Sequence, residues 1–261
     1  MRLYYPMDAA TTRRMRSAVM SVTSKRFEDY APGARAIIVA SERLFGRHGL
    51  DGVSLRHVVA AAGQVNPSAV QHHFGSKRGL IQAVYEMRTP LVESARQAKI
   101  DSMRKRETIE ELLAAHLEPI IEVLPKAKRL LYARFMMRLL PLSDAEHPHF
   151  SCLDMCAPSV EIMRRMLAHF PKLAPDIVTT RVRMAVCVFL QGICDERRVR
   201  RLASHAYKTE DIYWDEIFQI ALSVFSNPYP PPPRFGAPSP ALRAKAAGKP
   251  AKRSKRSSAR A

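Results

Sequence analysis

No stretch of this sequence reaches the roughly twenty uninterrupted apolar residues that a membrane-spanning helix needs, and its start lacks the apolar core of a secretion signal. The expectation is a cytoplasmic protein with no membrane partner. Glycine is scarce, at 10 residues in 261, and no run of alternating β-branched residues occurs. A sheet-rich fold is therefore excluded and an all-α fold expected. The four cysteines, with no secretion signal beside them, read as free thiols rather than a disulfide framework. There is also no phosphate-cradling glycine loop, no nucleophile elbow and no catalytic pair of carboxylates, and the acids look scattered over helix exteriors. An enzyme is not expected, and neither is a cofactor.

Positive charge is abundant. The formal net charge is +18, enough to attract a phosphate backbone before any base is read. Much of it lies near the ends: residues 242–261 carry eight Lys or Arg and no acid, and residues 1–26 carry six against Asp8. The alanine, proline and serine around the C-terminal charges offer nothing from which to build a core. Residues 1–33 read as mostly unstructured, with Arg13, Arg14, Arg16, Lys25 and Arg26 available to phosphates or the minor groove. Met7, Met15 and Met20 are alternative starts, so this leader is either a native arm or a misassigned start.

The chain is organised around Leu55 to Phe74. Ser54 is an N-cap candidate, and Leu55, Val58, Val59 and Ala62 recur at helical spacing before Gly63 stops the helix. Asn66 followed by Pro67 reads as a fresh N-cap with proline in the first helical position. Two short helices meeting across about four residues have the layout of a helix-turn-helix. In the second, Val70 and Phe74 can pack inward while Pro67, Ser68, Gln71 and His72 point away, none of them acidic. Such a face suits the major groove, where Gln and His meet base edges or phosphates. A generic helical hairpin with a polar exterior is the plainer alternative.

The flanks favour the first reading. Upstream, Ile37, Ala40, Ser41, Leu44 and Phe45 share one helical face ending at Gly49. Downstream, Ser76 and Lys77 open a helix through Leu80, Val84 and Met87. Ile37-Ile38, Ala40-Ser41, Leu44-Phe45, Gly49, Ser54-Leu55, Val58-Val59, Ala62-Gly63, Val65, His73-Phe74 and Gly75-Ser76-Lys77 stand in register with the TetR family of transcriptional regulators, which the chain resembles over some fifty residues. Gln71 departs from the family's usual tyrosine, whose hydroxyl commonly meets a phosphate. The resemblance implies DNA-contacting roles for Ser54, Arg56, Asn66, Pro67, Ser68, Gln71, His72 and Lys77.

The remaining chain reads as further helices. The helix opened at Ser76 is expected to kink or break at Thr89-Pro90, and the mixed, charged residues 91–105 to mark a boundary zone. Stripes then follow: Ile109 to Leu124 interrupted by Pro119, Leu130 to Leu140, Val160 to Phe170, and two longer helices over 176–202 and 211–225, the last with Ile212, Ile217, Ile220, Ala221, Val224 and Phe225 as its face. Pro-rich residues 228–240 end folding. The resemblance implies that the final two helices pair with a second copy in a homodimer. Cys152 and Cys156, near His147 and His149, match no recognised zinc spacing, so neither a metal site nor a redox sensor is expected and these residues are read as solvent-facing. Cys187 and Cys194 read as small core or interface residues.

The expected plan is an N-terminal helix-turn-helix DNA-binding domain plus a C-terminal helical ligand-binding and dimerisation domain. Its parts are a basic arm (1–30), the DNA-binding head (31–90), the effector and dimer domain (91–227) and a Pro-rich basic tail (228–261). Large or flexible apolar side chains suggest an effector pocket with His116, Phe135, Met136, Met163, Phe170 and Phe189 among its residues. Arg134 and Arg138 favour a hydrophobic or anionic effector. The reading is a double-stranded-DNA-binding repressor released by a small molecule, the alternative a ligand-independent architectural binder.

Overall fold

A computed structural model describes residues 26–66, 68–104, 106–143 and 145–229. Arg13, Arg14, Arg16, Lys25, Pro67 and the tail beyond residue 229 lie outside the described residues. By its internal contacts the chain forms two units, residues 1–226 and 227–261. Every described helix belongs to the first, and no strand occurs among the described residues.

The described chain opens with a 3₁₀ turn, Phe27–Asp29, ahead of α1, Pro32–His48. Residues 26–31, expected to be unstructured, thus lie on the head. Tyr30 packs its ring 5.6 Å from Phe74, an aromatic contact that no local periodicity announces. Proline at the first position of α1 loses only a donor that the helix leaves unused. Gly49, at φ 80°, closes α1.

Next come α2, Leu55–Ala61; α3, Ala69–Phe74; and α4, Lys77–Glu86. Together with α1 they bury Ile37, Ile38, Phe45, Val58, Val70, Leu80 and Val84 in one core. Phe135, Leu139, Cys152 and Cys156 complete that core from far along the chain.

The helix beginning after Ser76 breaks where proline requires it. α4 ends at Glu86 and α5 runs Thr89–Ser102, with Pro90 in its first turn. The expected boundary zone is instead a core helix, since Val92, Glu93, Arg96 and Ile100 of α5 are buried. Two charges hide there because they satisfy each other. Arg96 Nη1 donates to Glu93 Oε1 at 2.6 Å and to Ser159 Oγ at 2.8 Å, and its Nε and Nη2 bond the His116 carbonyl. Glu42, 1% exposed, likewise accepts a bidentate pair from Arg88, at 2.5 and 2.7 Å. The acids are therefore not all on helix exteriors: Glu42, Glu86, Glu93 and Glu196 are buried.

The larger half contains α6, Ile109–Leu117; α7, Pro119–Glu122; α8, Lys126–Leu139; α9, Ala157–His169; α10, Pro175–Leu202; and α11, Glu210–Ser223. A capping box between Thr108 and Glu111 starts α6. Pro119 separates α6 from α7. Leu112, Leu113, Leu117, Ile162, Met166, Phe189 and Tyr213 centre the second core.

The inward face of α11 differs from the expected one. Ile212 and Ile220 are 43% and 44% exposed, while Tyr213 and Trp214 are buried. Rings bury more area than isoleucine when their polar atoms find partners. Tyr213 donates its hydroxyl to the Gly192 carbonyl at 2.7 Å, and Trp214 Nε1 donates to Glu210 at 3.2 Å.

Among the described residues one helix, α10, is long and apolar enough to cross a membrane. It still falls short of twenty uninterrupted apolar residues, because Arg181 and Arg183 interrupt the run. Here it buries Val178, Val182, Ala185, Phe189, Leu190 and Ile193 against neighbouring helices.

The Glu42–Arg88 pair joins α1 to the residue preceding α5 and can be tested directly. Arg88→Met should destabilise folding by about 3–5 kcal/mol, because it strands a buried carboxylate. The double variant Glu42→Leu/Arg88→Met should recover most of that loss. Urea denaturation of the three proteins checks this, and an Arg88→Met protein as stable as the parent would refute it.

Candidate nucleic-acid interface

The exposed edge of the head is built by local capping. Ser54 Oγ accepts the His57 amide at 3.2 Å, starting α2 with its first turn at the surface. Gly63 adopts φ 66°, a left-handed conformation, and turns the chain away from α2. Asn66 does not cap α3. Its Oδ1 accepts the Ser68 amide at 2.9 Å, the helix begins at Ala69, and Ser68 occupies the cap position. A side-chain-to-backbone bond two residues on is the competing use asparagine has in turns.

At the far end of α3, Gly75 adopts φ 70° and Ser76 caps α4 by accepting the Gly79 amide at 3.0 Å. Gly79 has no room for a side chain: a Cβ there would lie 2.1 Å from the Phe74 carbonyl oxygen. The angle between α3 and α4 is fixed at that contact.

On this frame Ala69 and Val70 face inward, with Phe74 half-buried beside Tyr30. Ser54, Arg56, Asn66, Ser68, Gln71 and His72 are exposed, and Lys77 is half-buried at the start of α4. The exposed face of α2 and α3 bears cationic, amide, imidazole and hydroxyl groups and no carboxylate. Three further exposed residues were not among the expected DNA contacts. Val65 is 96% exposed in the turn. His57 extends the Arg56 surface, its ring 6.2 Å from that of His48, and His73 stands edge-on to His72 with ring centroids 4.7 Å apart. The exposure of Val65 had one available signal, its position in a turn with no helical partner.

A cavity of about 80 Å³ lies in the larger half, lined by residues of α4, α5, α6, α8, α9 and α10. Of the residues anticipated there, His116, Met136 and Met163 line it. Phe135 instead stacks on Phe45 at 6.4 Å, Phe170 on Phe225 at 5.8 Å, and Phe189 packs 5.7 Å from Trp214. The cavity's cationic groups are Arg96 and Arg183. Arg134 and Arg138 are exposed on α8.

His116 is buried with one ring nitrogen left unsatisfied. It is 8% exposed, its Nδ1 has no hydrogen-bond partner, and burial, reinforced by Arg96 and His149, holds its pKa well below the usual value.

Cys152, Cys156, His147 and His149 are all buried, not solvent-facing. The short 3₁₀ turn Pro148–Ser151 tucks them under α4. Tyr85, 64 residues away in sequence, bonds His149 Nδ1 through its hydroxyl at 3.1 Å. No group of three or more metal-type ligands occurs among the described residues.

Burial, then His149 and Arg183, pulls the pKa of His147 from 6.5 down to about 3. The unfolded chain therefore takes up this proton near 6.5 and the folded chain only near 3. The neutral ring's contribution is present above 6.5 and is lost as pH falls through this window, by up to about 1.4 kcal/mol per pH unit. His147→Asn should flatten the stability profile from urea denaturation between about pH 6 and pH 4. An unchanged slope would show that His147 does not titrate in this way.

Residues 37–84 match the family described as bacterial regulatory proteins, tetR family. A curated relative, the HTH-type transcriptional regulatory protein RaaS of Mycobacterium tuberculosis, is 42% identical over 77 residues, 30% of this chain. The match spans 35%, about a third, of that relative's length. A solved tetR family transcription regulator from Shewanella sp. PV-4 shares 18% identity at TM-score 0.46, over 73% of this chain and 96% of its own. The regulator PfmR of Thermus thermophilus shares 16% at TM-score 0.44, over 73% and 97%. At such TM-scores the structural likeness carries no functional argument.

Proposed function

We propose that this chain, whose residues 37–84 form a tetR-type helix-turn-helix head, is a sequence-reading transcriptional regulator that binds double-stranded DNA as a homodimer. The observation that carries this reading is the carboxylate-free exposed face made by Arg56, Ser68, Gln71 and His72 on two helices fixed by left-handed glycines. α3 enters the major groove, with Gln71 and His72 toward base edges. Ser54, Arg56, Asn66, Ser68 and Lys77 hold the phosphates on either side, while Pro67, which lacks an N–H, can offer DNA only its ring. The division into a basic arm (1–30), head (31–90), effector and dimer domain (91–227) and tail (228–261) belongs to the same proposal, as does a cytoplasmic location.

Dimerisation through α10 and α11 draws support from their outward apolar side chains, Met184, Ile212 and Ile220, each more than two-fifths exposed. Two-fold pairing of subunits matches the reading of two half-sites.

In this proposal the protein is a repressor and its effector occupies the cavity beside His116, Met136 and Met163. Drug-sized ligands need about 300 Å³ or more, so only a small effector fits without widening the cavity. Val92, Leu117 and Val182 give it apolar walls, and Arg183 brings positive charge. A small hydrophobic or anionic molecule suits that lining. It can release DNA only by binding the open and closed cavities with different affinity.

The strong net charge supports a second reading, an architectural binder that ignores sequence. Selection from a random duplex pool followed by a salt titration separates the two, since a sequence reader keeps its preference as salt rises. Gln71→Ala and His72→Ala should each cost roughly 1–3 kcal/mol on the selected duplex and little on random DNA, with melting unchanged. Equal loss on both duplexes would assign the side chain to phosphate, and no loss on either would refute the placement. Deleting residues 242–261 should flatten the salt dependence by up to about 0.9 log unit per lost phosphate contact, leaving sequence preference intact.

A further inference from the structure

Among the described residues, Cys152 and Cys156 form a cluster of nucleophilic side chains that the DNA-binding reading leaves unused. Their sulfurs lie 3.8 Å apart. The two residues span one helical turn, with the Cys156 amide bonded to the Cys152 carbonyl at 3.2 Å. A turn of that kind separates Cα atoms by roughly 6 Å, inside the range a disulfide bridges.

Two environments make the pair unequal. Cys156 sits between Cys152 and His149, which both hydrogen-bond its sulfur and pull its pKa down against the effect of burial. Cys152 is pushed up by the same contact and by its own burial. One sulfur is thereby favoured as the thiolate nucleophile and the other as the resolving thiol.

Burial normally leaves a cysteine inert, and Cys156 is fully enclosed. The cavity supplies the approach. Tyr85 and His149 line it, and the Tyr85 hydroxyl lies 3.6 Å from the Cys156 sulfur. A solute the size of a few waters inside the cavity is thus one side chain away from the thiol. The pair is carried by the short turns between α8 and α9, where local opening is cheaper than in the long helices.

We propose that Cys152 and Cys156 form a thiol–disulfide site for hydrogen peroxide, and that its oxidation is felt by the DNA-binding head through Tyr85 of α4. The Cys156 thiolate attacks one peroxide oxygen. An S–O bond forms, the O–O bond breaks, and the departing hydroxide takes a proton to become water. Cys152 then attacks the Cys156 sulfur, giving its proton to the hydroxide that leaves as the S–O bond breaks. Two thiols are oxidised to one disulfide, and one peroxide is reduced to two waters. Drawing the sulfurs together changes the contact between Cys156 and the Tyr85 hydroxyl, 3.6 Å apart in the reduced pair, and Tyr85 lies on the helix joined to α3 through Gly75.

The role in DNA release rests on the proposed function; the thiol chemistry does not. The test treats the full chain with hydrogen peroxide and maps its peptides by mass. The expected product is a Cys152–Cys156 disulfide that forms faster than oxidation of the half-buried Cys187 and Cys194 and that dithiothreitol reverses. Amide hydrogen exchange should change over residues 77–86 in the oxidised protein. Neither change should occur in Cys152→Ser, which should stop at a sulfenic acid on Cys156. Duplex affinity should shift by about tenfold on oxidation, within the range of coupled sites. A chain that forms the disulfide and changes exchange in α4 but never binds duplex would support this site and refute the DNA-binding reading instead. Oxidation confined to Cys187 and Cys194, or a disulfide that leaves exchange over residues 77–86 unchanged, would overturn the proposal. Since the wild-type protein supplies both decisive measurements, misfolding of a variant would not obscure the result.

Discussion

The contact on which the rest of this molecule depends is the seating of α1 against α8. Phe45 stacks on Phe135 with ring centroids 6.4 Å apart. Beside them, Gly46 brings the helices so close that a Cβ would sit 3.0 Å from the Arg134 Cβ. Phe135 and Leu139 are fully buried in the core of the head, although they lie far outside residues 37–84. α1 thus has one face for the helix-turn-helix and another for the larger half. A rearrangement around α8 or the cavity is transmitted to the head as a change in packing, since close-packed interiors transmit strain.

Buried charge secures this arrangement. Glu42 with Arg88, and Glu93 with Arg96 and Ser159, place ionised groups where only complete partner sets are tolerable. The second set ties α5 to α9 and, through the His116 carbonyl, to α6. Lys126 and Arg129 at the start of α8 share Glu210 of α11, and the Arg129 guanidinium lies 5.8 Å from the Trp214 ring centre. Such directional contacts define which helix meets which more sharply than apolar contact alone, because a shift strands a charge.

How much could be read in advance depended on how local each determinant was. Ser54 as a cap, Gly63 and Gly75 as stops and Pro119 as a break all act within a few residues, and the exposure of Gln71 and His72 follows from the spacing of α3. Asn66 failed as a cap because its carbonyl had a nearer donor in the Ser68 amide. The burial of Cys152, Cys156, His147 and His149 depends on Tyr85 in a distant helix, and the loop's own composition suggested the opposite. α5 looked like a boundary because its charges were visible in the sequence and their partners were not. In α11 the isoleucine spacing pointed to one face, but Tyr213 and Trp214, with hydrogen bonds waiting at Gly192 and Glu210, determined the buried side. Of the six residues anticipated in the cavity, the three phenylalanines went to aromatic partners, while His116 and the two methionines line it.

The glycine at position 46 also bears on how such heads can be exchanged among proteins. A helix-turn-helix module is often pictured as a cassette that recombination can move from one body to another. Here the cassette's own core is finished by aromatic and aliphatic groups of α8, and its outer surface is cut to fit that helix at backbone distance. A transplanted head would arrive with an exposed slot beside Phe45, and its new host would need a matching ridge in the same place. Divergence in this chain is therefore freer at the exposed Gln71 and His72, the latter meeting only its neighbour His73, than along the seam between α1 and α8, where both sides must change together.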